Sequence, residues 1–302
     1  LSFAVNPEVL FKNYAYVSGT SPVFVKHLDD LAATLIKRFE LTNNDLICEI
    51  GSNDGTLLQS FKDKGVTQVI GIDPANNLAV EANKKGIKTI AAFFDENVAH
   101  SISTVSGKAK LVVANNVFAH AKDLKSILQG VKKLLTNDGV FVFEISYLVD
   151  VLQKTLFDTI YSEHLHYHYL SPLLRFFSEQ GMRVMDAEQI STHGGSLRVY
   201  VSNDSEYKRY TDEEDRINAL VKLENGAGLL VSRDFPSARN QVNPFIEFKE
   251  KIQEQKYQLR EVLMNCRRNK QKVVCYGAPA KFTTLAYEFG LTQDLVSYIV
   301  DD

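Results

Sequence analysis

The stretch that most constrains this chain is Leu46-Ile-Cys-Glu-Ile-Gly-Ser-Asn-Asp-Gly55. Leu46, Ile47 and Ile50 read as the end of a buried strand. Gly51 and Gly55 bracket a turn, and Thr56-Leu57-Leu58 begins a helix. A strand that runs straight into a glycine turn and a helix leaves bare backbone at the carboxyl edge of a sheet. Open α/β sheets take their ligands at that edge. Glycine suits the turn because a Cβ would block close approach of a ligand to the main chain.

The pattern is Glu-x-Gly-x-x-x-Gly. Asn53 stands where a dinucleotide fingerprint needs its second glycine. The following strand, Gln68-Val-Ile-Gly-Ile-Asp73, ends in an acid twenty-two residues after Gly51, and Pro74 stops it. An acid there sits beside the first turn and can accept hydrogen bonds from both ribose hydroxyls. The pair fits an adenosyl ligand without a diphosphate. It resembles the class I S-adenosylmethionine-dependent methyltransferases.

Residues 44 to about 147 alternate strand and helix, the mark of a parallel sheet with helices on both faces. Strands are predicted at 46–50, 68–72, 111–115 and 139–146. Ala91-Ala-Phe-Phe-Asp95 lies near a third strand tip, where Phe93 could flank an adenine ring. Asn115 and Asn116 end the fourth strand, placed either to hold the amino-acid end of a cofactor or to cap a turn. Before this core, residues 1–21 read as a loop or lid carrying Tyr14 and Tyr16. Ser21 then caps a helix begun by Pro22, with Val25, Leu28, Leu31, Ala32, Leu35 and Phe39 as its apolar stripe.

A second informative stretch, Thr159-Ile-Tyr-Ser-Glu-His-Leu-His-Tyr-His-Tyr169, packs histidines, tyrosines and an acid together. On a strand, His164, His166 and His168 would line one face, which suits a metal only with further ligands. The other reading is an acid/base cluster. His164 titrates near neutrality and can remove a proton, Glu163 can orient the imidazole, and Tyr161 can donate to a developing oxyanion. His120 falls on the acceptor side of the sheet edge. Residues 171–201 read as a cap on the core, with a helix from Ser171-Pro172 to near Gly181. The turn Thr192-His-Gly-Gly-Ser-Leu-Arg198 is either an anion-binding loop or a plain glycine turn into a last antiparallel strand. Residues 202–270 read as charged helices that connect, punctuated by Pro236 and Pro244. Residues 271–302 restart an α/β pattern, with a strand over 271–277 and another over 295–300. Lys281, Thr283 and Thr284 begin the helix between them, where free N–H groups favour an anion.

A length of 302 residues suits two domains. A net charge of -3 gives no basic footprint for nucleic acid. Cys48, Cys266 and Cys275 are too scattered for a disulfide framework or a zinc site; Cys48 and Cys275 read as small buried strand residues. No run is long and apolar enough for a membrane span, and no secretory signal is visible, so the cytoplasm is the default. The abrupt Leu1-Ser-Phe3 start, and a strand reaching its tip at Asp301-Asp302, suggest that sequence continues at both ends.

Four motifs occur in order: Glu49-Ile-Gly-Ser-Asn-Asp-Gly55, Tyr161-x-Glu-His164, Thr192-His-Gly-Gly-Ser-Leu-Arg198 and Tyr276-Gly-Ala-Pro-Ala-Lys281. Together they resemble the S-adenosylmethionine-dependent C-methyltransferases of nucleotide-activated deoxysugars, whose archetypes methylate C3 of a dTDP-4-keto-deoxyhexose. The resemblance covers nearly the whole chain. It implies a class I Rossmann-like methyltransferase domain followed by a smaller, truncated Rossmann-like α/β domain. The expected division is a lid (1–21), the methyltransferase domain with a catalytic insertion (22–205), a helical connector (206–270) and the start of a sugar-nucleotide domain (271–302).

The resemblance also implies S-adenosylmethionine as cofactor, a dTDP-sugar as partner, and Gly51, Asn53, Gly55, Asp73, Phe93 and Asn115 as cofactor contacts. His164 is the implied base, sharing that role with Tyr161. Glu163 orients the cluster, His120 faces the enolate, and Tyr14 or Tyr16 comes from the lid. His193, Ser196, Arg198, Ala280, Lys281 and Thr283 grip the nucleotide-sugar. No metal is implied in this chain. The family's small zinc-binding domain, with its clustered cysteines, has no counterpart here. Ser162 stands where the family usually has a histidine, and Phe282-Thr283 stands where it has Gly-Asn. The competing readings are an O- or N-methyltransferase, a non-catalytic sugar-nucleotide binder, and a nicotinamide oxidoreductase.

Overall fold

The computed structural model describes residues 6–12, 14–229 and 243–301. Pro236, Leu1-Ser-Phe3 and Asp302 lie outside them. Asn6 opens a short helix α1 (Pro7–Leu10) by accepting the Glu8 N–H. Ser21 caps α2 (Pro22–Phe39) by accepting the Phe24 N–H, and Pro22 takes the first helical position, where a missing N–H costs nothing. Leu28, Leu31, Ala32 and Leu35 are buried, while Val25 and Phe39 of the predicted stripe are half-buried.

The core then alternates strand and helix: β1 (Ile47–Ile50), α3 (Thr56–Asp63), β2 (Val69–Asp73), α4 (Asn76–Lys84), β3 (Thr89–Ala91), α5 (Glu96–Ser106), β4 (Ala109–Asn115), α6 (Leu124–Leu134) and β5 (Leu135–Ser146). After α7 (Leu148–Gln153) and α8 (Leu170–Glu179) come β6 (Arg183–Ile190) and β7 (Ser196–Ser202). These strands form one seven-stranded sheet ordered β3-β2-β1-β4-β5-β7-β6. β1 to β5 pair in parallel, and every residue of β1 is buried, as a sheet covered on both faces requires. The chain reverses direction across the sheet between β1 and β4, and that switch point opens the crevice at the carboxyl edge.

The segment expected to cap the core joins the sheet instead. β7 runs antiparallel to β5, with Phe143 opposite Val199 and Ser146 opposite Ser196. All of its residues are buried, and Leu197, Val199 and Val201 pack into the core with Phe141, Phe143 and Phe177. β6 adds outside it, and α8 packs beside β6.

α9 (Thr211–Gly226) is more than a connector. Its fully buried Glu224 accepts the Tyr147 hydroxyl (3.0 Å), the Leu170 N–H (2.5 Å) and the Ser171 N–H (2.9 Å). A carboxylate on those free N–H groups caps α8 and complements its dipole. α10 (Pro244–Arg268) leads to β8 (Val274–Tyr276), α11 (Ala280–Phe289) and β9 (Tyr298–Val300). β8 and β9 form a parallel pair separate from the main sheet. Cys48 is buried as expected, but Cys275 is only half-buried, because this two-strand pair leaves its residues partly exposed. Among the described residues, no helix is long and apolar enough to cross a membrane.

Candidate active site

The crevice at the sheet's carboxyl edge is a cleft of about 550 Å³. Its floor is the turn after β1. Gly51 has φ +71°, and a Cβ there would meet Val117 Cγ2 at 2.6 Å, so backbone lies bare at this point. Gly55, also with positive φ, is the N-cap of α3. Asp73 does not stand free at the strand end. Its Oδ2 accepts the Asn53 N–H (2.8 Å) and its Oδ1 the Ala75 N–H (2.8 Å). The carboxylate thereby staples the first turn to the second, and each oxygen keeps a lone pair for a further donor. Burial raises its pKa, against those two N–H donors.

Three polar groups at this edge have buried atoms without partners among the described residues: both amide atoms of Asn115, Glu49 Oε2 and Ser52 Oγ. Burial, with Asp73 and Asp54 nearby, raises the Glu49 pKa well above the carboxylate range. Buried polar atoms are normally paired, so the Asn115 amide at the tip of β4 is left free to bond a ligand. Phe93, 46% exposed, offers a ring face on the same cleft. Bare backbone, an acid, an exposed ring and an unpaired amide match the purine, ribose and amino-acid parts of S-adenosylmethionine.

The opposite wall carries the acid/base cluster. The segment after the 3-10 turn Phe157–Thr159 folds His164 back on that turn. His164 Nδ1 lies 2.8 Å from the Thr159 carbonyl oxygen, which also accepts the Tyr167 hydroxyl at 3.0 Å. A carbonyl only accepts, so Nδ1 carries the proton and Nε2 the lone pair. The Tyr161 hydroxyl reaches that Nε2 at 3.2 Å. Burial lowers the His164 pKa, helped by Lys281 and His193 and opposed by the Thr159 contact. Burial and Glu163 push Tyr161 up to about 12, so it stays a phenol. The His120 ring stands 4.9 Å from His164, edge to face. Burial and His164 push its pKa down to about 4, and its Nδ1 is buried without a partner.

Residues 191–302 match the C-methyltransferase C-terminal domain family, and residues 24–189 match a methyltransferase domain family. The C-methyltransferase NovU of Streptomyces niveus is 34% identical over 303 residues, spanning 100% of this chain and 68% of that protein. The chain belongs to the C-methyltransferase family. Solved structures are more distant. The PH0226 protein of Pyrococcus horikoshii OT3 is 14% identical, covering 62% of this chain and 94% of that one with a TM-score of 0.49. The magnesium protoporphyrin IX methyltransferase ChlM of Synechocystis PCC 6803, with bound SAH, is 15% identical, covering 59% and 81% with a TM-score of 0.44.

This C-methyltransferase depends on S-adenosylmethionine, which when bound supplies an electrophilic methyl group on a sulfonium. Of the residues predicted for the site, Gly51, Asn53, Asp73, Phe93, Asn115, Tyr14, Tyr16, His120, Tyr161, His164, His193, Ala280 and Lys281 all line the one cleft. Glu163 is beside it, but it does not orient His164. Its Oε2 accepts the Tyr14 hydroxyl at 2.9 Å and stands 4.0 Å from His120 Nδ1. The Thr159 carbonyl is what orients His164.

Ser196 and Arg198 are not in the cleft. Ser196 is buried and donates to the Thr192 carbonyl (3.0 Å). Arg198 donates through Nε to Glu144 (2.7 Å) and through a terminal nitrogen to Glu188 (2.9 Å). Strand pairing sets Arg198 directly opposite Glu144, so it neutralises a buried acid. Thr283 faces a neighbouring groove of about 740 Å³ between α10, α11 and the Tyr161–Glu163 segment. His164, His166 and His168 do not line a strand face. Only His168 makes a bridge, to Tyr147, because no neighbouring strand is there to pair the rest. Among the described residues no three His, Cys, Asp or Glu side chains form a metal-binding group.

Two features escaped the sequence reading. His27 of α2 lies 2.8 Å from Glu144 Oε2 and stacks on Phe24, which touches His193. The signal was Glu144 itself, an acid inside the apolar run 140–145. The other is Asn77 on α4, whose amide bonds both main-chain groups of Tyr14; no local pattern marks it.

Proposed function

We propose that this C-methyltransferase methylates the carbon alpha to the ketone, C3, of a nucleotide-activated 4-keto-deoxysugar, with dTDP as the nucleotide. The observation that carries this reading is the Tyr161–His164 pair beside a neutral His120. Transfer to an oxygen or nitrogen needs a base, but it leaves this set of donors without a task.

His164 Nε2 takes the proton from C3, directly or across the Tyr161 hydroxyl, and the C–H electron pair moves into an enolate. The negative charge gathers on the C4 oxygen, where Tyr161 and His120 are assigned as donors in a site screened from water. His193, Ala280 and Lys281 are assigned to the nucleotide-sugar at the far end of the cleft, with Thr283 in the adjoining groove. The roles divide along the chain as lid (1–21), methyltransferase domain (22–205), connector (206–270) and sugar-nucleotide domain (271–302). Three free cysteines suit a reducing cytoplasm.

The test is hydrogen exchange. A panel of 4-keto sugar nucleotides is incubated with enzyme and S-adenosylhomocysteine in D₂O, and deuterium at C3 is followed by NMR. Wild type should exchange the C3 hydrogen, and His164→Asn should slow it by about 100-fold or more while still binding S-adenosylhomocysteine. Methylation of an oxygen or nitrogen with no exchange at carbon would overturn the reading.

A further inference from the structure

The N-terminal segment is fastened over the cleft by side-chain amides. Asn77 Oδ1 accepts the Tyr14 N–H (3.2 Å), and Asn77 Nδ2 donates to the Tyr14 carbonyl (2.9 Å). One carboxamide thus meets both main-chain groups of one residue, as a neighbouring strand would. Asn53 makes a second clasp, spanning two residues rather than one. Its Oδ1 accepts the Ser18 N–H (2.9 Å) and its Nδ2 donates to the Tyr16 carbonyl (3.0 Å). Between these clasps and the acid/base wall runs a polar link, the Tyr14 hydroxyl on Glu163 (2.9 Å). Phe11 closes the roof against Tyr14, Phe93 and His120, with ring centroids at 5.3, 6.5 and 5.8 Å.

We propose that Asn77 is a positioning residue: it fixes the Tyr14 main chain so that the Tyr14 hydroxyl holds Glu163 and the aromatic roof closes the cleft over bound cofactor. A single hydrogen bond would leave Tyr14 free to swing about it. Two bonds from one rigid amide set both its place and its direction. Asn77 touches neither cofactor pocket floor nor acid/base wall, so it acts through Tyr14. It belongs to α4, whose preceding turn is pinned by Asp73 through the Ala75 N–H. The side of the cleft that binds ribose is therefore the side that holds the lid.

The proposal rests on the cleft being the cofactor site, and calorimetric titration of the full chain with S-adenosylhomocysteine tests it without any acceptor. Asn77→Ala should weaken binding about tenfold, the scale of losing two modest hydrogen bonds, with the ligand-free melting temperature unchanged. S-adenosylhomocysteine should protect the N-terminal segment from protease in wild type and not in the variant. Asn77→Asp keeps the acceptor for the Tyr14 N–H, loses the donor, and places a charge that the helix start favours; it should fall between the two. Tyr14→Phe combined with Asn77→Ala should bind no worse than the weaker single variant, because both break one linkage. Wild-type affinity and protection in Asn77→Ala would overturn the proposal. So would a double variant whose losses multiply, or a lowered ligand-free melting temperature. Failure of wild type to bind S-adenosylhomocysteine would instead overturn the assignment of the cofactor cleft.

Discussion

The Nδ1 of His164 lies 2.8 Å from the carbonyl oxygen of Thr159, and that contact decides which ring nitrogen is basic. The lone pair is left on Nε2, the nitrogen that Tyr161 touches. Removing a proton from carbon requires that nitrogen to be unprotonated, so the environment that lowers its pKa also widens the pH range in which it works.

The acid limb of kcat/KM should accordingly lie below the ordinary histidine value of 6.5, since His164 in the fold titrates lower. Lys281 contributes to that lowering by charge repulsion. In Lys281→Met the imidazolium loses a repelling neighbour, so the pKa rises and the acid limb moves to higher pH. Added salt should narrow the gap between the two enzymes by screening the wild-type repulsion. A pH profile of each enzyme at two ionic strengths measures both effects; a limb that stays put would remove Lys281 from the site's electrostatics.

Asn115 makes a prediction of opposite signs. Its buried amide has no partner among the described residues, so Asn115→Ala removes a desolvation cost and breaks no bond. The ligand-free variant should melt no lower than wild type. Its affinity for S-adenosylhomocysteine should fall about tenfold or more, shrinking the thermal shift that the ligand produces. An ordinary packing residue would lose both together.

Arg198 separates stability from recognition. Arg198→Met leaves Glu144 buried beside His27 without its main counter-charge, which costs about 3–5 kcal/mol in typical buried pairs. Urea denaturation should register that loss, while KM for the acceptor in the surviving folded enzyme should not change. The pH dependence has a definite sign. Burial raises the Glu144 pKa, but His27 and Arg198 outweigh it, and the folded value lies below 4.5. The stability this acid contributes is present above 4.5 and disappears as pH falls through the lower folded value. An acceptor KM that rises with unchanged stability would return Arg198 to the binding site.

Much of this was readable in the chain because it is local. Strand, turn and helix around Gly51 follow from residues within ten positions of one another, and Asp73 and Asn115 sit at strand ends that hydrophobic runs locate. The partner of Glu163 was not readable. Tyr14 is 149 residues away in sequence, and the path of the N-terminal segment past Asn77 of α4 brings the two together. The Thr192–Arg198 turn misled for a different reason. Two glycines before a polar residue look like a ligand loop whether they face solvent or lead into a sheet. Read together, the alternation along β7 and the acid inside the apolar run 140–145 of β5 locate an ion pair across the strands, which is where Arg198 lies. The histidines at every second position suggested a strand, but a strand needs a hydrogen-bonding neighbour and the sheet offers none there.

β7 is the one reversed strand among the seven in the main sheet, and its first residue lies beside the last residue of β5. A parallel strand would have delivered its connecting loop to the opposite edge. The reversal instead brings the turn holding His193 to the same rim as Gly51, Asp73 and Asn115, from a distant part of the chain. Inheritance can therefore treat the two halves of the cleft separately. On the proposed division of roles, substitutions in 157–164, at the turn before β7 or at the start of α11 could retarget the enzyme to a new acceptor while residues 49–116 keep the methyl donor.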